Sequence, residues 1–359
     1  MAFGQLSLAT GNQEYADIAK KTFEIILSKV DNPKGKWNKL HPGTRNLKNF
    51  ALPMILCNLA LEIEHLLDPG YLEQTMETCI HEVMDVFYRP ELGGIIVENV
   101  DMDGNLVDCF EGRQVTPGHA IEAMWFIMDL GKRLDRPELI QQAMLTTLTM
   151  LDYGWDKQCG GIYYFMDRNG CPPQQLEWDQ KLWWVHIESL ISLLKGYQLT
   201  GDKRCLEWFE KVHDYTWTHF KDPEYPEWFG YLNRQGEVLL PLKGGKWKGC
   251  FHVPRGLYQC WKVLENLYLT VFAVFCLYFF MWTTTFWVSW PDFFVSDLRT
   301  VMIALIVVKA SVSEKKSNWK ELVFEIGLIA VFLAVKNRNG QEILLDTLLL
   351  ILGAKQSQV

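Results

Sequence analysis

Three helix starts in this chain carry titratable side chains at nearly equal intervals. From Arg113 to Phe126, a Pro117-Gly118 turn delivers His119 to the first turn of an amphipathic helix, and Glu122 follows three residues later on the same face. Similar starts recur at Trp184-Val185-His186-Ile187-Glu188 and at Gly249-Cys250-Phe251-His252-Val253-Pro254-Arg255, so that His119, His186 and His252 stand at almost constant spacing. An imidazole with an unperturbed pKa of about 6.5 can accept and return a proton near neutral pH, so the chemistry these residues suit is proton transfer. One histidine on an amphipathic helix is ordinarily a hydrogen-bonded structural residue, and one glutamate near a helix start is ordinarily a cap or a solvated group. Recurrence in phase is what argues for a site. His41, His65, His81, His213 and His219 show no such partner pattern and read as structural.

The elements that must position these groups also repeat. The chain begins inside a helix that ends at Ala9-Thr10-Gly11, followed by a helix from Glu14 to Val30 and an irregular loop from Asp31 to Asn49. Apolar periodicity then predicts helices from Phe50 to Leu66 and from Tyr71 to Phe87. Hairpin-like loops return at Tyr88–Gly104, Trp155–Gly170 and Phe220–Gly236, and Gly94, Gly161 and Gly230 stand as equivalent points in step with the histidines. The unit is helix, short turn, helix, long hairpin loop. A helix pair cannot bury its apolar face alone, so such units must stack or close into a ring. The reading is an all-α toroid of helix hairpins, with His119, His186, His252 and the start of the 50–66 helix at equivalent inner positions around one mouth.

Composition narrows the function classes. A net charge of −8 and a pI near 5.6 leave no basic surplus for nucleic acid. Nine scattered cysteines without a Cys-x-x-Cys pair read as reduced thiols in a cytoplasmic chain, and the N-terminus has no secretory signal. There is no His-Glu-x-x-His and no cysteine cluster, so no metal site is expected, although His119, Glu122 and His252 could converge. Lys243-Gly244-Gly245-Lys246 lacks phosphate-loop spacing. Residues 1–265 carry 27 basic against 36 acidic side chains, and residues 266–359 carry 8 against 7, so the character changes near Glu265. Residues 266–290 hold no charge and are long enough for a transmembrane helix of about 20 residues. Apolar runs follow at Val301–Val308, Val323–Val335 and Ile343–Leu352. Two domains are expected, 1–265 and a hydrophobic tail over 266–359, the tail offering membrane association.

Several strings in residues 1–265 resemble the C-terminal two-thirds of the N-acylglucosamine 2-epimerase family, whose members are also described as renin-binding proteins. These are Gly112-Arg113-Gln114 with Pro117-Gly118-His119 and Glu122-Ala123, then Gln175-Leu176-Glu177-Trp178 with Lys181-Leu182-Trp183-Trp184 and His186-x-Glu188. Next come Lys221-Asp222-Pro223-Glu224-Tyr225 with Glu227-Trp228-Phe229-Gly230-Tyr231-Leu232, and Lys243-Gly244-Gly245 with Lys248-Gly249-Cys250-Phe251-His252-Val253-Pro254-Arg255. The resemblance implies an (α/α)6 barrel lacking its first one or two helix pairs and an early pocket arginine, with a tail unlike the family. It also implies interconversion of N-acetyl-D-glucosamine and N-acetyl-D-mannosamine, with His119 and His252 as the acid/base pair and Glu122, Glu188 and Arg255 in the same pocket.

The residue types suit that chemistry. Once a sugar ring opens, the C1 aldehyde acidifies the C2 proton, and a base and an acid on opposite faces suffice without a cofactor. Glu122 or Glu188 would orient an imidazole or hold a hydroxyl, and Arg255 would stabilise the developing enolate oxygen. Trp125, Trp183, Trp184 and Trp228 offer flat faces to the C–H surface of a sugar, Trp183 and Trp184 foremost. ATP is a candidate modulator by resemblance, without a residue pattern that marks its site. A second copy of the chain and a membrane, through 266–290, are the candidate macromolecular partners. The alternative function is a binding or regulatory protein that keeps the fold without the catalysis.

Overall fold

Several helices of the array begin or end where local chemistry requires. In the computed structural model, which describes residues 1–29 and 46–269, α1 (Ala2–Thr10) stops at Gly11 in a left-handed conformation, and Asn12 caps α2 (Gln13–Leu27) by accepting from the Glu14 N–H at 2.9 Å. Asp68 caps α4 (Pro69–His81) in the same way after α3 (Ala51–Glu62) has ended. A π-helical turn, Glu82–Phe87, prolongs α4. A short helix α5 (Phe110–Arg113) precedes α6 (Pro117–Arg133), and both α6 and α7 (Pro137–Gly154) start on a proline, whose missing N–H is not needed there. The helix pair α8 (Trp183–Thr200) and α9 (Lys203–His219) follows, and α10 covers 253–269.

The helices form two layers. In the inner layer α3 packs on α6 and α6 on α8, while α4, α7 and α9 lie behind their own partners. Close approach within the layer depends on glycine: a Cβ on Gly118 of α6 would stand 2.6 Å from the Trp184 ring of α8, and one on Gly256 of α10 only 2.2 Å from Ile187 Cγ1. α8 is buried along almost its whole length, as an inner helix must be, whereas α9 buries chiefly Cys205, Val212, Tyr215 and Thr216.

Short strand pairs tie the loops to one end of the array. β1 (Leu47–Asn49), just before α3, pairs antiparallel with β4 (Asn99–Asp101) in the loop after α4. Likewise β5 (Gln114–Val115) before α6 pairs with β6 (Met166–Asp167), and β7 (Lys181–Leu182) before α8 pairs with β8 (Tyr231–Leu232), which β9 (Val238–Leu240) extends. Within the loops, β2 (Tyr88–Arg89) meets β3 (Ile95–Ile96), and bridges join Trp155 to Ile162 and Lys221 to Trp228. These pairings give the repeat its true register. Gly94 and Gly161 have φ +84° and +73°, and the next residue to adopt that conformation in step with them is Glu227 at φ +77°, so the equivalent point in the third loop is Glu227 and not Gly230. A segment expected as part of an irregular loop, Leu47–Asn49, is a strand because it pairs with Asn99–Asp101.

Among the described residues no helix is long and apolar enough to cross a membrane. The expected span over 266–290 lies outside the described residues beyond 269, where α10 has been followed, as do the later apolar runs and most of the second expected domain.

Candidate active site

His119, Val185 and His252 recur at the same near-constant spacing as Glu122, Glu188 and Arg255, which follow them by three residues, about one helical turn. His186 is therefore one residue out of phase, a rotation of roughly 100° about α8. That rotation removes it from the mouth that its spacing predicts. His186 is fully buried, its Nδ1–H donates to the Leu182 carbonyl at 2.7 Å, and its Nε2 accepts from the Ile162 N–H at 3.2 Å. Its ring stacks on Tyr215 of α9, and burial pushes its pKa down to about 3. It is a neutral structural histidine that pins a hairpin loop to a helix.

His119 and His252 do come together, both packed against one indole. The Trp184 ring centroid is 5.2 Å from His119 and 5.7 Å from His252. Each imidazole is anchored through Nδ1 to a buried carboxylate: His119 to Glu98 at 3.1 and 3.2 Å, His252 to Glu188 at 2.7 Å. With Nδ1 donating, Nε2 of each ring is the free nitrogen, with no hydrogen-bond partner among the described residues. Glu98 is a residue that sequence reasoning missed. It stands in the loop between β3 and β4, where β4 pairing and a backbone bond from the Glu98 N–H to the Gln114 carbonyl hold it under α6. Burial works to lower the His119 pKa, but the charge of Glu98 and its hydrogen bond outweigh burial, and the net shift is upward.

Below the histidines lies a charged floor. Arg255 Nη2 donates to Glu188 Oε1 at 2.6 Å and to Glu122 Oε1 at 3.2 Å, and the Trp125 indole N–H donates to the other Glu188 oxygen at 2.9 Å. The guanidinium lies over the rings of Phe251 and Trp125, at 4.1 and 5.1 Å from their centroids. Two carboxylates so close cannot both ionise cheaply. Burial acts to raise Glu188, but Arg255, His252 and Trp125 hold its pKa below the usual range, while burial and the Glu188 charge push Glu122 up to about 7. Glu122, Glu188 and His252 offer ligand atoms within 4.8 Å of one another, a donor set that a divalent cation could use. Arg255 already donates to both carboxylates and supplies the positive charge at that point.

The family model described as N-acylglucosamine 2-epimerase matches residues 1–254. The chain belongs to that family. It is 39% identical to the N-acylglucosamine 2-epimerase of Bos taurus over 274 residues, which is 74% of this chain and 64% of that protein. It is 37% identical to the enzyme of Homo sapiens over 272 residues, 74% of this chain and 63% of that one. The chain thus spans somewhat less than two thirds of the curated relatives it matches. Among solved structures, D-mannose isomerase is similar with a TM-score of 0.60 at 18% identity over 74% of this chain and 68% of that one. The cellobiose 2-epimerase of Bacillus thermoamylovorans also gives 0.60 at 18%, over 74% and 69%. At those identities the likeness shows the fold, the (α/α)6 architecture that the family resemblance implies and that agrees with the toroid read from the repeat.

Within this candidate site the tryptophans differ from the open stacking faces expected of them. Trp125, Trp183 and Trp228 are 1%, 2% and 6% exposed, and Trp184 keeps only 7%. Trp125 holds Glu188 by its N–H, Trp183 packs edge-on to Tyr231, and Trp228 packs on Trp217 toward the outer layer. Trp184 is the wall that both imidazoles touch. A helix residue that must fill the space opposite Gly118 buries its ring face there, which the sequence pattern does not reveal.

Proposed function

We propose that this protein inverts C2 of an N-acetylated hexosamine, interconverting N-acetyl-D-glucosamine and N-acetyl-D-mannosamine by proton transfer between two histidines. One observation carries the reading: two imidazoles, each with Nδ1 fixed on its own carboxylate and Nε2 free, pack against one indole at the end of the inner helices. With the sugar ring open, Nε2 of one histidine takes the C2 proton and the electron pair forms a C1–C2 double bond, leaving negative charge on O1. Arg255, whose Nε and Nη1 are buried without partners among the described residues, is the donor placed to stabilise that charge. The second imidazolium returns a proton to the opposite face, so atoms and charge balance with no cofactor. The family membership and the names of the relatives support the substrate class; the Glu98 and Glu188 anchors support the assignment of the two bases.

The test follows deuterium at C2 of N-acetylmannosamine in deuterated water by NMR, with the full chain. Label should appear at C2 together with N-acetylglucosamine, and His119→Asn and His252→Asn should each abolish epimerisation. Unchanged epimerisation in His252→Asn would sink the two-histidine reading. Saturable sugar binding with no exchange in folded protein would leave a sugar-binding protein on this fold.

A further inference from the structure

Glu227 is one of two non-glycine residues with a positive φ among those described, and it stands where the two preceding loops use Gly94 and Gly161. A carboxylate in a glycine position is kept only when its surroundings over-determine it, and such outliers point toward function. Here the surroundings are specific. Glu227 Oε1 accepts from the Trp228 N–H at 2.8 Å and from Lys248 Nζ at 2.7 Å. Lys248 is 3% exposed, donates also to the Lys243 carbonyl at 2.8 Å, and lays its stem against Gly230 beside the Trp183 ring. Lys243 in turn reaches back to Asp222 at 2.5 Å and to the Pro226 carbonyl at 3.1 Å. Residues 243–248 are thus strapped over the hairpin loop 221–228, and His252 follows directly after the strap, its ring 6.3 Å from Trp183. Among the described residues no comparable lysine holds His119, which sits inside α6 directly behind a proline start.

We infer that Glu227 and Lys248 are positioning residues that hold the approach to α10 so that the His252 imidazole meets Glu188 and Trp184. This rests on the reading of His252 as one of the two bases. The strap does in the third loop what the helix start does for His119: it removes freedom from the chain just before the working group. A displacement of about 1 Å at a reacting group can cost about 100-fold in rate, so loosening the strap should act on turnover more than on affinity.

The informative variant is Glu227→Gly with Lys248→Met in one chain. Glycine accepts the left-handed conformation of position 227 without strain and methionine leaves no orphaned buried charge, so the fold should persist with a Tm near that of the parent. Turnover in the C2 exchange assay should fall about 10- to 100-fold with KM little changed, and Glu227→Gln, which keeps an acceptor oxygen, should recover part of the loss. Parent-like turnover in the double variant, or a fall in turnover matched by an equal fall in Tm and protection throughout α8 and α10, would overturn the inference. A second readout does not need activity: the 1H–15N signals of the His252 ring should be single in the parent and broadened or split in the double variant. If the parent shows no C2 exchange, the epimerase reading fails, and unchanged ring signals in the double variant would separately refute the positioning role.

Discussion

His119 and His252 each donate through Nδ1 to a carboxylate, but the two carboxylates live in different company. Glu98 comes from a loop and, among the described residues, its side chain accepts from His119 alone, whereas Glu188 comes from an inner helix and also takes hydrogen bonds from Arg255 and Trp125. The first arrangement can be altered locally. The second is a shared anion whose removal disturbs everything that leans on it, because a buried cation left without its partner costs more than the pair contributes. Glu188→Gln should therefore show the largest effect after the histidines themselves. Turnover should fall about 100-fold as His252 loses its orientation, with a loss of about 3 kcal/mol in urea unfolding. Part of the loss is offset because Glu122, freed from the repulsion of Glu188, ionises more readily against Arg255. A variant with turnover within a factor of two of the parent would mean that His252 is held by something other than Glu188.

Glu98→Gln tests the simpler side. Turnover should fall about 10-fold, below what a well-placed base contributes in full, with little change in stability. The sign of the pH effect separates the two sides. The Glu98 charge raises the His119 pKa against burial, so removing it lowers that pKa, and the acid limb of the rate profile should move to lower pH. An acid limb that moves to higher pH, or stays in place, would mean that His119 is not the group that must be neutral to act.

Spacing brings the inner-helix starts to one end because their residues repeat with the fold, and the family resemblance picks out the residues that gather there: His119, Glu122, Glu188, His252 and Arg255. Two errors have one cause. The repeat is not constant to the last residue, so His186 looks in phase with His119 and His252 while lying one position off, on the side of α8 that faces Tyr215. Likewise Gly230 looks like the repeat point that Glu227 occupies, because sequence alone does not show a glutamate in a left-handed turn. Glu98 carries no periodic signal at all, since a loop residue reaches the site only after β1 pairs with β4. The only cue is its place in the first of three recurring hairpin loops.

Glycine packing offers a way to move one side without touching a titratable group. In Gly256→Ala the new methyl meets Ile187 at 2.2 Å and must push α10 from α8, moving His252 relative to Glu188. Gly118→Ala instead meets the Trp184 ring at 2.6 Å, a wall common to both imidazoles. Each should cost about 1–3 kcal/mol by overpacking. The Gly256→Ala change should perturb the NMR signals of His252 and spare those of His119, and the Gly118→Ala change should shift both. Equal perturbation of both rings by Gly256→Ala would show that the two sides are mechanically one unit.

The smallest effect concerns the carboxylate that neither imidazole binds. Glu122 has its pKa pushed up to about 7, from an ordinary 4.5, by burial and by Glu188. Between those values the folded protein holds a proton on Glu122 that the unfolded chain has released, so this group makes stability fall as pH rises through that window. The raised His119 pKa acts in the same direction. Glu122→Gln removes the first contribution and keeps the second, so the decline in Tm from pH 5 to pH 7 should become shallower without disappearing. The neutral amide copies the protonated acid, so Tm at pH 5 should stay close to that of the parent. An unchanged decline in the variant would mean that Glu122 is already ionised at pH 5, and that Arg255 is shared by two full negative charges rather than held chiefly by Glu188.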